Sequence, residues 1–114
     1  MGFLKKAVKQ LTGAQTATLI AAPSSSAKRI VPKWIEYTTS AAARVQFFHG
    51  TNGVAANTEA AGTCGGYHAA NGGYAGPLVV DNRMTPVEIP VGQSLYVTTD
   101  AGNLDVYFYY EEDN

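Results

Sequence analysis

Three runs of alternating side chains stand almost end to end between Thr85 and Asp113. They read TPVEIP, SLYVTTD and LDVYFYYEED, with a Val-Gly and an Ala-Gly turn between them. In the first run Val87, Ile89 and Val91 alternate with Glu88 and Pro90. In the second, Leu95, Val97 and Thr99 alternate with Tyr96 and Thr98. In the third, Leu104, Val106, Phe108 and Tyr110 alternate with Asp105, Tyr107, Tyr109 and Glu111. Successive side chains of a strand point to opposite faces. A period of two, rich in β-branched and aromatic residues, therefore predicts half-buried strands.

The last two runs pair on paper as a hairpin. Asp100-Ala101-Gly102-Asn103 carries turn chemistry, with Gly and Asn able to take positive φ. Thr99 opposite Leu104 sets Val97 against Val106 and Leu95 against Phe108 on one apolar face. The same register sets Tyr96 against Tyr107, with Tyr109 next along. It predicts an outward aromatic stripe of Tyr96, Tyr107 and Tyr109, and a slip by one residue would exchange core for solvent.

The rest of the chain carries the same signature. Residues 15–22 (QTATLIAA) and 43–49 (ARVQFFH) read as strands. So does 28–39 (KRIVPKWIEYTT), where Pro32 cannot donate to a ladder and calls for an edge or a bulge. Residues 50–75 hold seven of the twelve glycines and few large aliphatics. They read as a long loop, in which Thr63 to His68 can pair as a short strand. Residues 76–81 (GPLVVD) return to strand pattern. Seven or eight short strands predict an all-β fold, an antiparallel β-sandwich of jelly-roll type, over residues 15–114.

Residues 1–14 read differently. Phe3, Leu4, Ala7, Val8 and Leu11 recur at helical spacing, with Lys5, Lys6 and Lys9 elsewhere. So short a helix is marginal alone, and the segment needs a surface to lie on. Three lysines beside a thin apolar stripe make a weak membrane binder. The expectation is a helical or extended arm that docks on protein through Phe3, Leu4 and Val8.

Composition excludes several classes. A net charge of −1 gives no global pull toward nucleic acid or anionic membrane. Only 15% of residues are charged, below the usual quarter, which suits a subunit lying against neighbours. Seven of eight Lys and Arg lie at or before Arg44, and eight of nine acids at or after Glu59. Such polarity can align subunits head to tail or simply mark two solvated ends, with Glu111, Glu112 and Asp113 as a solvated tail. One cysteine, Cys64, forms no internal disulfide. No run of 18 apolar residues predicts a membrane span, and the first residues lack a signal-peptide pattern.

No catalytic constellation emerges. Cys64, His68 and His49 with an acid have zinc-type donors, but their spacing fits no compact zinc motif. Cys64 before Gly65 and Gly66, with His68 near, lacks a marked third group to orient the base. Glu36, Asp81 and Glu88 have no readable geometry, and the glycines match no phosphate loop. The expectation is a protein that is not an enzyme and holds no metal or cofactor. Tyrosine fills exposed strand positions through β-propensity alone. Three on one face, with Trp34 and Phe48 able to face outward, predict an interface.

The stretch GPLVVDNRMTPVEIPVGQSLYVTTDAGNLDVYFYYEE, behind a Gly/Asn/Ala-rich loop and a basic arm, resembles small β-sandwich accessory proteins of tailed-bacteriophage virions. These are capsid decoration or cement proteins and head–tail or tail adaptors. The resemblance covers about a third of the chain and brings no functional residue with it. It implies a mechanical role in a virion, in many copies made in the host cytoplasm. It also implies contacts to major capsid protein or to neighbouring copies, and the net charge adds the expectation of no nucleic-acid or membrane partner. The competing class is a carbohydrate- or receptor-binding sandwich whose tyrosines stack on sugar rings.

Overall fold

In the computed structural model, residues 3–51, 66–80 and 85–113 are described. They form ten strands and, among the described residues, no helix. The strands are β1 Lys5–Leu11, β2 Gln15–Ala21, β3 Arg29–Thr39, β4 Ala43–Gly50, β5 Gly66–His68, β6 Gly73–Gly76, β7 Val79–Val80, β8 Thr85–Pro86, β9 Ser94–Thr99 and β10 Leu104–Asp113. A first sheet runs β1-β10-β3-β6, a second β2-β9-β4-β5, and β7 with β8 makes a two-stranded ladder. All pairings are antiparallel.

The two four-stranded sheets pack face to face as a β-sandwich, and the alternation in sequence decides what lies between them. From the first sheet come Ile35, Tyr37, Leu104, Val106 and Phe108; from the second, Ile20, Val45, Phe47, Leu95 and Val97. Tyr37 meets Phe47 across the gap, ring centroids 5.3 Å apart. Leu78, Val79, Val87 and Ile89 are buried with the same core. Val87 and Ile89 lie just past the two residues of β8, so the run TPVEIP buries its apolar residues without continuing as a strand.

The expected β9–β10 hairpin is not formed. β9 pairs with β2 and β4, whereas β10 pairs with β1 and β3 in the other sheet. The turn at 100–103 is bonded to neighbouring loops. Asp100 accepts from the Arg44 amide at 2.8 Å, and Asn103 Oδ1 from the Gly13 amide at 3.0 Å. The Asn103 amide donates to Ser40 Oγ at 2.8 Å. The turn thus carries the chain over from one sheet to the other. Leu95 and Val97 still face the same core as Val106 and Phe108, but from the opposite wall.

Of the two forms expected for the N-terminal segment, helical or extended, the extended one is found: residues 5–11 form a strand despite their helical spacing. β1 runs beside β10 in unbroken register from Lys5↔Tyr110 to Leu11↔Leu104. Ala7 and Leu11 lean on the core, and Lys9 shares their side with an aliphatic stem that suits partial burial. The protein surface that receives the segment is therefore its own domain.

Pro32 sits where both sequence alternatives hold. β6 pairs with β3 only from Ile35 to Thr38, so Pro32 lies beyond the reach of β6. On the other side β10 steps from Tyr109↔Trp34 to Tyr110↔Pro32, which leaves Lys33 as the extra residue of a bulge.

The acidic end is not a solvated tail. Glu112, with 5% of its side chain exposed, takes the Lys5 ammonium and accepts from the Ser24 amide and hydroxyl at 2.7 and 2.8 Å. Asp113 lies 3.7 Å from Arg29. Basic and acidic ends of the sequence close on each other within one domain.

Candidate interaction face

Antiparallel register arranges the outward side chains of the first sheet in rows. Gln10, Asp105, Thr38 and Gly73 share one row, and Val8, Tyr107, Glu36 and Ala75 the next. Lys6, Tyr109 and Trp34 form the third. Val8, Trp34 and Tyr107 are 43%, 42% and 38% exposed, and Tyr109 is half-buried. The centre of this face is thus apolar and aromatic. Trp34 is held by its indole N–H, which donates to Glu36 Oε1 at 3.0 Å.

The small residues of β6 leave room beside this patch. A groove of about 370 Å³ runs over Gly73 and Ala75, walled by Tyr107 and bordered by Glu36, Thr38 and Asp105. A more polar recess of about 530 Å³ adjoins it at Thr38 and Asp105, and extends to Gln10, Asn71 and Asn103. β6 lies close enough to form this floor because residue 73 has no side chain. A Cβ built there would stand 1.8 Å from the Tyr37 carbonyl oxygen.

Charge is graded along the strands. Glu36 and Asp105 border the groove, while Lys6 and exposed Lys33 stand at the Tyr109–Trp34 end. At the far end of β10, the hydrogen bonds from Lys5 and Ser24 hold the Glu112 carboxyl down to about 2. The Lys5 ammonium is raised by the same hydrogen bond.

Of the residues predicted from sequence, Val8, Tyr107 and Tyr109 come together here. Tyr96 does not join them. It lies in the second sheet between Leu19 and Phe48 in register, and is only 4% exposed. The three-tyrosine stripe is therefore two tyrosines, with Trp34 and Val8 as their actual neighbours. Phe3 and Leu4, 91% and 60% exposed, precede β1 at the Tyr110 end. Glu36, Thr38 and Asp105 were missed as groove residues, since only the β10–β3 register places them together.

The two histidines stand apart. His68 on β5 pairs opposite Ala43, whereas His49 lies six residues further along β4, about 20 Å at strand rise. His49 Nδ1 bonds Gln93 Oε1 at 2.6 Å. His68 Nε2 bonds the Tyr37 hydroxyl at 2.7 Å, a tie between the two sheets, and burial pushes its imidazole below the usual value. One ion cannot take both. Cys64 lies outside the described residues, and so do Glu59 and Asp81. Among the described residues, no three His, Cys, Asp or Glu side chains gather as a metal site. No protein-family model, no curated protein and no solved structure matches the chain.

Proposed function

We propose that this protein is a structural subunit of a virus particle, of the decoration or accessory kind. It joins its neighbours through the outer face of the first sheet. The observation that carries this reading is the patch of Val8, Trp34, Tyr107 and Tyr109 on a sheet whose other face is already filled by core. Aromatic residues are enriched where proteins associate, and single clusters of them dominate the binding energy. Two further points support it. The strand order β1-β10-β3-β6 over β2-β9-β4-β5 fits our reading of a jelly roll built from two Greek keys, an architecture common in viral capsid domains. The stretch 76–112 resembles phage accessory proteins. Both are analogies of fold and style, and the surface patch is the argument from this chain itself.

A second reading is favoured by the groove. Tyr107 offers a ring face, Glu36 and Asp105 offer carboxylate acceptors, and Thr38 a hydroxyl, around a volume within the usual range of ligand pockets. That set suits a sugar ring, and jelly rolls also include lectins.

Mass spectrometry of purified particles from the virus encoding this chain separates the readings, together with a glycan screen. The structural reading expects the protein at a fixed copy number per particle and no glycan whose binding depends on Tyr107. Absence from the particle, with a glycan bound through Tyr107, favours the second reading.

A further inference from the structure

We infer that the outer face of the first sheet is a two-fold interface, and that its occupant is a second copy of this chain. The inference rests on reading that face as an association surface, and adds the identity of the partner. Its basis is the order of charges across the face. Along β3 the sequence Lys33-Trp34-Ile35-Glu36 sets a cation, an indole and a carboxylate in succession on or beside one face. On β1 and β10, Lys6 lies at the same end as Lys33, while Asp105 lies at the Glu36 end. Cations occupy one end of the patch, acids the other, and aromatic rings the middle.

Such a gradient is self-complementary under one operation. Take a two-fold axis in the plane of the face, perpendicular to the strands, between the Tyr107 and Tyr109 rows. Each strand then lies over its own copy with direction reversed. Tyr107 of one copy covers Tyr109 of the other, and Trp34 lies over the Glu36 row. Lys33 of one copy comes over the groove bordered by Glu36 and Asp105 of the other. A two-fold contact repeats each of these twice, as an isologous interface requires. A parallel stack would instead set Lys33 on Lys33 and Glu36 on Glu36. Among the described residues, neither Lys33 nor Glu36 is in an ion pair within the chain.

The size of the face sets the expected strength. Four strands and three rows span roughly 20 by 20 Å, on the order of 400 Å² per copy. About 800 Å² over both copies falls below the usual size of a stable interface and in the range of weak, transient contacts. The dimer should therefore be weak and visible as a concentration-dependent equilibrium.

Sedimentation equilibrium on the full chain tests this, from about 1 to 500 μM in low salt. The expected result is a monomer–dimer equilibrium that weakens as salt rises. Lys33→Glu and Glu36→Lys should each weaken it roughly tenfold. The double variant Lys33→Glu/Glu36→Lys should recover to within about threefold, because the two-fold sets each new charge against its new opposite. Both positions of change are exposed, and matching circular dichroism melts will verify the fold. A monomer at every concentration overturns the inference, and so does a double variant no better than the singles. If the monomeric protein still binds particles through Tyr107, the two-copy inference falls while the structural reading stands. If it neither dimerises nor binds particles, both fall.

Discussion

Replacing Gly73 by alanine tests the strand pairing that builds the groove. The Cβ would stand 1.8 Å from the Tyr37 carbonyl oxygen, 2.8 Å from its carbon and 2.9 Å from Thr38 Cα. All three are backbone atoms, so no side chain can swing aside. Real Cβ contacts keep at least 3.0 Å, and β6 must move away from β3 by about 1.2 Å. That displacement takes bonds near 2.9 Å beyond hydrogen-bonding range. At risk are the Thr38↔Gly73 and Tyr37↔Tyr74 pairs of the ladder. The bonds Thr39 N–H to Gly72 O (2.9 Å) and Asn71 N–H to Thr39 O (2.7 Å) are at risk with them. Losing two to four bonds at about 1 kcal/mol each predicts a loss of about 2–4 kcal/mol. Calorimetry should show the melting temperature lower by about 10 °C or more. Ala75→Ser, on the exposed face of the same strand, should stay within about 0.5 kcal/mol. If Gly73→Ala melts with the wild type, β6 does not lie on β3 in this register, and the groove is not as described.

The remaining predictions address core, tie and charge. Val106→Ala, at a fully buried site, should cost about 2–3 kcal/mol in urea unfolding. Tyr107→Ala, one residue along, should cost less than about 1 kcal/mol, and equal losses would contradict the assignment of faces. Tyr37→Phe keeps the ring packing and removes the hydroxyl that bonds His68, so a loss of about 1 kcal/mol or more is expected. For Glu112, the folded carboxyl titrates at about 2 and the unfolded one near 4.5. Its contribution is therefore full above the unfolded value and is lost as pH falls through the folded one. Melts between pH 5 and 2 should show the wild type losing more stability than Glu112→Gln; parallel curves would contradict the clamp on Lys5 and Ser24.

The sequence distinguished inside from outside far better than it distinguished neighbours. Leu95, Val97, Val106 and Phe108 all face the core, as alternation requires. Yet alternation is equally satisfied when two strands lie side by side and when they face each other across a sandwich. The 100–103 turn gives no local sign of which, because its bonds go to Ser40, Arg44 and Gly13, remote in sequence. That ambiguity moved Tyr96 to the wrong sheet. In β1, Lys9 occupies an inward position, so the period of two is interrupted and Phe3, Leu4, Ala7, Val8 and Leu11 mimic a helix. β6 was invisible because GYAG holds no large aliphatic residue; backbone approach at Gly73 fixes it, not hydrophobic pattern. The candidate face was half legible: Tyr107, Tyr109 and Val8 could be named and Trp34 could be expected outward, while Glu36 and Asp105 join them only through the β10–β3 register.

The central proposal is that the outer face of the first sheet is covered by other protein chains in an assembly. Hydroxyl-radical footprinting read by mass spectrometry tests that directly, on the free protein at low concentration and on the assemblies it forms or joins. The account predicts that oxidation of Trp34, Tyr107 and Tyr109 falls several-fold in the assembly. Tyr67, 78% exposed on the second sheet, serves as the reference and should keep its rate. Protection at Tyr67 with Trp34 and Tyr107 still oxidised at their free rates would contradict it, and would move the interface to the other side of the sandwich.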